Sequence, residues 1–312
     1  MNKTRTLFNI LLLLITLMLL YFIVNNKDKT SEVIYNTIIK FSNKKVIVPE
    51  ESYNHRTYIY KTLSETDDFV AKSKDDLEKI YYTIINNGWT TFTFQCDIDY
   101  KDCFKESSEV IKSDYMQRIN NYVSPYNRQI MITTEGVRNE LTVNVTKIYT
   151  ETEIAALKEK VQDVLKKLKI DKENYTLKDI EKIHDYIISN IVYDEEFAKN
   201  TENELVTGDY TPTKATGALL EKKAVCSGYT DAFALFLDEL KIPNLKVESL
   251  SKKHIWNAIY YNKKWLHVDL TWDDDEINKD NNRNYFMINS KELLKKDSKE
   301  HNFDDEIYLE LN

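Results

Sequence analysis

The chain of 312 residues is acidic and has the composition of a globular protein. Hydrophobic residues make up 42% and charged residues 30%, which indicates a folded core and excludes a disordered chain. The net charge of −8 and the pI near 5.4 exclude the basic surface with which proteins bind nucleic acid.

The N-terminal segment predicts a membrane anchor. Lys3 and Arg5 precede Leu7–Val24, an apolar run of 18 residues that only Asn9 and Thr16 interrupt. Such a run reaches the lower end of what spans a bilayer as a helix, and the basic residues before it favour an extracytoplasmic body. Because no small-residue cleavage site follows, we expect an uncleaved single-pass anchor in the cell membrane. A cleaved signal and a secreted protein are the alternative.

Four segments are expected along the chain. They are an anchor or signal over 1–25, a stalk or irregular lead-in over 26–70, a small α+β domain over 71–150 and a larger domain over 151–312. In the small domain, residue patterns predict helices over 73–88 and 106–122, a strand over 89–96 and a strand pair around Gly136. In the larger domain they predict helices over 152–168, after Thr176 and after Cys226, then three strands, and a final strand and helical turn near the C-terminus.

The three cysteines divide into a close pair and a single residue. Cys96 and Cys103 can form a small-loop disulfide in an oxidising compartment. Cys226 would then be left over, which is typical of a reactive thiol. Three free thiols without a special role are the alternative. The close pair has no histidine at zinc spacing, so we expect no metal site there.

Cys226 is predicted to lie at the start of an amphipathic helix. The apolar residues that follow at helical spacing are Tyr229, Phe233, Phe236, Leu237 and Leu240. In the first turn of a helix, the unpaired N–H groups and the dipole stabilise a thiolate and can bind an oxyanion. A buried inert thiol is the alternative, because buried cysteines are common.

A predicted hairpin supplies a base and a carboxylate for this cysteine. If Tyr261 pairs with Lys264, then Asp269 lies opposite Trp256 and diagonal to His254, on the same face of the hairpin. A slip of one residue would turn Asp269 to the other face. With a thiol nearby, this pairing would complete the nucleophile, base and orienter of thiol acyl transfer.

Three segments resemble the core motifs of the transglutaminase-like superfamily of papain-fold cysteine enzymes. They are A-V-C-S-G-Y, H-I-W-N-A and W-L-H-V-D-L-T-W, and a late His301 is also similar to bacterial members. The resemblance covers residues 176–302. It implies an α+β papain-like fold, in which a nucleophile helix packs on an antiparallel sheet. By the same resemblance, Cys226 is the nucleophile, His254 the general base and Asp269 its orienter.

The resemblance and the topology together suggest an activity. We expect an extracytoplasmic enzyme that hydrolyses peptide or amide bonds of cell-wall peptides or surface proteins and is held at the membrane by its N-terminal helix. A protein-cross-linking transglutaminase and a non-catalytic binding module of the same fold are the alternatives. We expect no cofactor and no nucleic-acid partner.

Several further residues are weaker candidates. Tyr210, Ser227 and Trp256 are candidates for substrate binding or oxyanion stabilisation, with simple packing as the alternative. The acidic loop 273–282 has the oxygen-rich composition that calcium prefers, although a solvated surface is the favoured interpretation. His184 is expected to be a packed helix histidine.

Overall fold

The computed structural model describes residues 2–27, 29–31, 46–137, 139–202, 210–274 and 282–312. The contacts between residues divide the chain into two units, Met1–Ile47 and Val48–Asn312. The second unit includes both predicted domains, 71–150 and 151–312, together with the end of the predicted lead-in.

The first unit contains helix α1 (Asn2–Asn25), which covers the predicted anchor. Among the described residues, no helix has the length and apolar character needed to cross a bilayer. The prediction of a transmembrane anchor is therefore not supported.

The predicted stalk or lead-in is described only in part, because 28 and 32–45 lie outside the described residues. Its later part, 48–69, contains no helix or strand but packs on the rest of the second unit. Arg56, Tyr60 and Leu63 are buried, and the Arg56 guanidinium donates to the carbonyl oxygen of Asn244 at 2.9 Å. Apolar burial and a buried charge-assisted hydrogen bond fix this stretch to the second unit.

A four-stranded sheet forms the first half of the second unit. Its elements are β1 (Val70–Ala71), α2 (Lys74–Asn86), β2 (Thr91–Cys96), α3 (Cys103–Ile111), α4 (Asp114–Tyr122), β3 (Gln129–Val137) and β4 (Glu140–Lys147), with strand order β1-β2-β4-β3. The Ser73 side chain accepts from the backbone N–H of Asp76 at the start of α2, as the capping pattern predicts. The predicted single helix over 106–122 is wrong, because Ser113 is extended, with ψ 161°, and separates α3 from α4.

The second half of the unit surrounds one buried helix. Its elements are α5 (Glu151–Lys167), α6 (Leu177–Asn190), β5 (Val192–Tyr193), α7 (Glu195–Glu202), β6 (Lys223–Ala224), α8 (Cys226–Glu239), β7 (Asn244–Glu248), β8 (Ile255–Tyr261), β9 (Lys264–Val268), α9 (Leu270–Asp273), β10 (Phe286–Ile288) and α10 (Ser290–Lys296). The antiparallel sheet has the order β10-β9-β8-β7. Helix α8 packs against β7 and β8, and α5 and α6 supply apolar side chains to the same core. The expected helix on an antiparallel sheet is confirmed.

The hairpin of β8 and β9 has the predicted register. Tyr261 pairs with Lys264, and Asn257 pairs with Val268. The turn between them has Asn262 at φ 48° and Lys263 at φ 63°, the left-handed values of a two-residue hairpin turn. This register places the residue before β8 and the residue after β9 at the same end of the sheet.

Candidate active site

Cys226 occupies the first position of α8. Val225 precedes the helix in an extended conformation, and the Cys226 side chain is partly exposed. A Cβ atom on Gly228 would lie 2.6 Å from the carbonyl oxygen of Pro212. The segment before the helix therefore packs directly against its first turn, and it fixes the position of the thiol.

His254 and Asp269 lie at the adjoining ends of β8 and β9. His254 Nε2 and Asp269 Oδ2 are 2.5 Å apart. Burial alone lowers the pKa of His254, but the charge of Asp269 and the hydrogen bond to it outweigh burial. With a further contribution from a hydrogen bond to the Cys226 side chain, the pKa rises to about 10. Because Nε2 faces Asp269, Nδ1 is the ring nitrogen left to serve Cys226.

The carboxylate of Asp269 has hydrogen-bond donors on both oxygens. Oδ1 caps α9 by accepting from the backbone N–H groups of Thr271 and Trp272, at 3.0 and 3.2 Å, and from the Thr271 hydroxyl at 3.0 Å. Oδ2 accepts from His254 and also lies 2.8 Å from His301 Nε2. Burial raises the pKa of Asp269, but the charge of His254 and these hydrogen bonds hold it well below its usual range. The carboxylate is therefore ionised and fixed in orientation.

Aromatic rings hold the imidazole of His254 from two sides. Trp256 stacks on it with ring centroids 5.5 Å apart and an interplanar angle of 23°, and Trp272 lies at 6.3 Å. Trp256 is buried, whereas Trp272 is 39% exposed. The structure thus places Trp256 in the wall of the site and Trp272 at its edge.

His267 lies close to the site without joining it. Its Nδ1 accepts from the indole N–H of Trp256 at 3.0 Å, and its Nε2 lies 3.1 Å from the Ser290 hydroxyl. Burial, followed by the charge of His301, lowers the pKa of His267 to about 3. A neutral ring in this tautomer supports Trp256 from behind.

Thr230 joins α8, which begins at Cys226, to β8, which follows His254. Its hydroxyl lies 2.7 Å from the carbonyl oxygen of Cys226 and 3.1 Å from that of Ile255. The Asn257 side chain donates to the Thr230 carbonyl at 3.0 Å. These contacts set the first turn of α8 against the start of β8.

The weaker candidates occupy different surroundings. Tyr210 is 56% exposed and precedes a short turn (Thr211–Thr213) that packs against α8. Ser227 is partly buried in the first turn, beside Cys226. A role for either residue in binding substrate or an oxyanion stays a prediction.

Cys96 and Cys103 are joined in a disulfide, with their Cα atoms 6.0 Å apart. The bond links the end of β2 to the first residue of α3. Cys226 is consequently the one cysteine of the chain that is outside a disulfide.

His254, Asp269 and His301 are close enough together to be considered as metal ligands. Their ligand atoms lie within 4.8 Å of one another. The hydrogen bonds from both imidazoles to Asp269 account for this proximity. For the acidic loop 273–282, 275–281 lie outside the described residues, while Asp273 is buried and lies 3.1 Å from His184 Nε2.

Sequence reasoning gave no role to His301 and missed the contact of Thr230. His301 appeared only as part of the family resemblance, because it follows α10 in an irregular segment without a periodic pattern. Thr230 was hidden by its position among the apolar residues of α8. A hydroxyl on the buried face of a helix is a signal that could have indicated it.

Comparison with known protein families finds a similarity within the second half of the chain. Residues 162–270 match the model of the transglutaminase-like superfamily. The matched range includes Cys226, His254 and Asp269, so the chain carries a transglutaminase-like domain from a superfamily of cysteine-based enzymes.

Two solved structures are similar to part of the chain. A transglutaminase crystal structure has 15% identity and a TM-score of 0.34, over 46% of this chain and 44% of that one. A candidate cysteine protease from Cytophaga hutchinsonii has 12% identity and a TM-score of 0.27, over 46% of this chain and 62% of that one. In both cases the chain spans less than two thirds of the other protein's length. No curated protein matches the chain.

Proposed function

We propose that the protein is a thiol acyl-transfer enzyme that hydrolyses peptide or amide bonds. Cys226 is the nucleophile, His254 the general base and acid, and Asp269 the orienter. The observation that carries the proposal is the 2.5 Å contact between His254 Nε2 and Asp269 Oδ2. It leaves Nδ1 for a thiol at a helix N-terminus, which is the arrangement that thiol catalysis requires.

The geometry supports a two-step reaction. The Cys226 thiolate attacks the carbonyl carbon of the substrate, and the N–H groups of the first turn of α8 stabilise the oxyanion. His254 donates its Nδ1 proton to the leaving amine as the C–N bond breaks, which leaves a thioester on Cys226. Water then attacks the thioester while His254 takes its proton, and the acid product and the free thiol are restored.

An extracytoplasmic location and a cell-wall or surface-protein substrate are part of the proposal. The disulfide between Cys96 and Cys103 supports such a location, because disulfides persist in oxidising compartments. The basic and apolar N-terminal sequence is consistent with export by a cleaved signal. A peptide of the cell wall is the substrate class that this location favours.

Alkylation by iodoacetamide tests the proposed chemistry. We expect Cys226 to react at pH near 6 much faster than an ordinary thiol, whose pKa is about 8.5, and we expect His254→Ala to remove the excess. Cys226→Ala should give no adduct and serves as the blank. A rate near that of a free thiol, unchanged by His254→Ala, would favour a non-catalytic binding module.

A labelled primary amine then separates hydrolysis from cross-linking. Wild-type protein is incubated with candidate surface proteins or wall peptides, with and without the amine. Cleavage without incorporation of the label supports the hydrolase. Incorporation of the label that depends on Cys226 would instead support a protein-cross-linking transglutaminase. Adding a chelator to the same assay measures whether the reaction depends on calcium.

A further inference from the structure

His301 is a buried histidine that the reaction described above does not use. It is 0% exposed and lies in the segment after α10. Tyr285 stacks on its ring with centroids 5.1 Å apart, and the rings of Trp256 and Trp272 lie edge-on at 4.9 Å. Packing on three sides fixes the orientation of the imidazole and therefore the direction of its two nitrogens.

Both ring nitrogens of His301 face carboxylates. Nε2 lies 2.8 Å from Asp269 Oδ2, and Nδ1 lies 3.3 Å from Asp297 Oδ2. Burial raises the pKa of Asp297, but the backbone N–H groups of Lys299 and Glu300 and the His301 ring bring it below its ordinary value. Both carboxylates are therefore ionised at neutral pH and only accept hydrogen bonds. A neutral imidazole has one N–H donor, whereas two carboxylates require two, which only an imidazolium supplies.

We propose that His301 is an imidazolium that acts as a positioning residue, holding Asp269 Oδ2 and offsetting part of the negative charge that Asp269 presents to His254. The inference rests on the proposed function, since it concerns the same reacting groups. Oδ1 of Asp269 is already held by Thr271 and Trp272. The distinct contribution of His301 is consequently its charge.

The charge of His301 matters because His254 must release its proton during the reaction. Asp269 acting alone would bind the His254 proton more tightly and make the ring a poorer acid toward the leaving amine. A second cation on the same oxygen weakens this effect. The ring centroids of His254 and His301 are 5.3 Å apart, close enough for a strong interaction between charges in a buried site.

Other ionisable groups surround His301 and contribute to the electrostatic field of the site. They are Asp269, Asp297, His254, His267 and Tyr285. The low pKa of His267, caused by burial first and by His301 second, keeps that ring neutral. Within this part of the described chain, two carboxylates thus face the two imidazolium rings, His254 and His301.

The test is the pH dependence of Cys226 alkylation in His301→Gln. Glutamine keeps an N–H donor for Asp269 but carries no charge. We expect the pH midpoint of alkylation to rise by about one unit, because a positive charge is removed from a site of low dielectric constant. Below the midpoint, the rate should fall about tenfold.

His184→Gln is the matched control. His184 is also buried between two carboxylates, at 3.2 Å from Asp185 and 3.1 Å from Asp273, but its hydrogen bonds go to those two residues and not to Asp269. We expect the wild-type midpoint in this variant. A midpoint that stays unchanged in folded His301→Gln, or that shifts equally in both variants, would overturn the inference.

A measurement on the wild-type protein covers the case in which His301→Gln does not fold. Nitrogen NMR should show both ring nitrogens of His301 protonated at neutral pH, and a neutral ring would reject the proposal. The two hypotheses can fail separately. If wild-type Cys226 shows no activated alkylation while His301 is an imidazolium, the proposed function is wrong; if Cys226 is activated and His301 is neutral, only this inference is wrong.

Discussion

Asp269 and Asp231 are two of the buried carboxylates of the second unit, and they differ in the cations that hold them. Asp269 faces His254, and a hydrogen bond to the Cys226 side chain places the same imidazole beside the thiol. Asp231, five residues after Cys226 in α8, faces Lys246 Nζ at 2.9 Å and the guanidinium of Arg128. The guanidinium keeps its proton at any ordinary pH. A buried carboxylate takes part in chemistry when its partner can give up a proton beside a nucleophile.

The surroundings of Asp231 explain why it is structural. Arg128 comes from the start of β3, Lys246 from β7 and Tyr149 from the segment before α5, and the Tyr149 hydroxyl donates to Asp231 at 2.7 Å. The cluster therefore ties the first sheet to the nucleophile helix and to the second sheet. Burial raises the pKa of Asp231, but the charge of Arg128, followed by that of Lys246, brings it below its ordinary value.

The largest expected effect follows from replacing Asp269, the proposed orienter. Asp269→Asn removes the charge that, after burial, contributes most to the pKa of His254. That pKa should fall from about 10 toward its ordinary value, and turnover should drop about 10²- to 10⁴-fold, as for the orienting carboxylate of other triads. Alkylation and peptide cleavage measure the effect. Equal losses in Asp273→Asn, the control on the same short helix, would contradict the assignment.

Asp231→Ala should instead destabilise the protein without changing its chemistry. It leaves Arg128 and Lys246 buried without their counter-charge, at a cost of about 3–5 kcal/mol in the free energy of unfolding. Denaturant titration measures the loss, and alkylation per folded molecule should stay at the wild-type rate. Exposed Asp163→Ala should leave the denaturation midpoint unchanged. If the Asp231→Ala variant is as stable as the wild type but its Cys226 is no longer alkylated, Asp231 belongs to the reactive site and is not structural.

The pH dependence of stability separates Lys246 from an ordinary surface lysine. Burial, followed by the charge of Arg128, lowers the pKa of Lys246 from 10.5 to about 7. Between these values the unfolded chain binds more protons than the folded one, so the free energy of unfolding should rise with pH, by up to about 1.4 kcal/mol per unit. Denaturant titrations over this window should lose the slope in Lys246→Met. The same slope in both proteins would show that Lys246 is not its source.

The disulfide is expected to affect stability alone. Replacing Cys96 and Cys103 together by serine opens a loop with a sequence separation of 7, which should cost about 2–3 kcal/mol. Thermal unfolding measures the change, and the alkylation rate of Cys226 should not move. A large loss of Cys226 reactivity in the folded double variant would show that the disulfide also supports the reactive site, which contradicts this prediction.

The smallest expected effects come from two threonines. Thr230→Val removes the hydroxyl between α8 and β8, and Thr150→Ala removes the cap of α5. Each should cost about 1 kcal/mol of stability. Only Thr230→Val should also slow the alkylation of Cys226, because its hydroxyl contacts the carbonyl of that residue. Equal alkylation rates in both variants would show that Thr230 contributes to packing but not to the site.

The sequence predicted the parts of the molecule that local rules determine. Apolar spacing located α8, and the two-residue turn at Asn262 and Lys263 fixed which residues of β8 and β9 pair. The register then placed His254 and Asp269 at one end of the hairpin. These predictions needed only short-range geometry.

The parts that the sequence did not predict depend on contacts between distant segments. Arg56 reaches Asp238 across 182 residues, and His301 reaches Asp269 from an irregular segment. Neither contact leaves a periodic signal. The break at Ser113 was missed because the apolar pattern continues on both sides of it. Ionic contacts of this kind between distant segments can be located only in the three-dimensional structure.

The most direct test of the account is the ultraviolet absorbance of the Cys226 thiolate, followed as a function of pH. Since Cys226 is the one cysteine outside a disulfide, subtracting the spectrum of Cys226→Ala isolates its signal. The account predicts a thiolate band already at pH near 6 that disappears in His254→Ala. Titration at about pH 8.5 in both proteins, as for a free thiol, would contradict it.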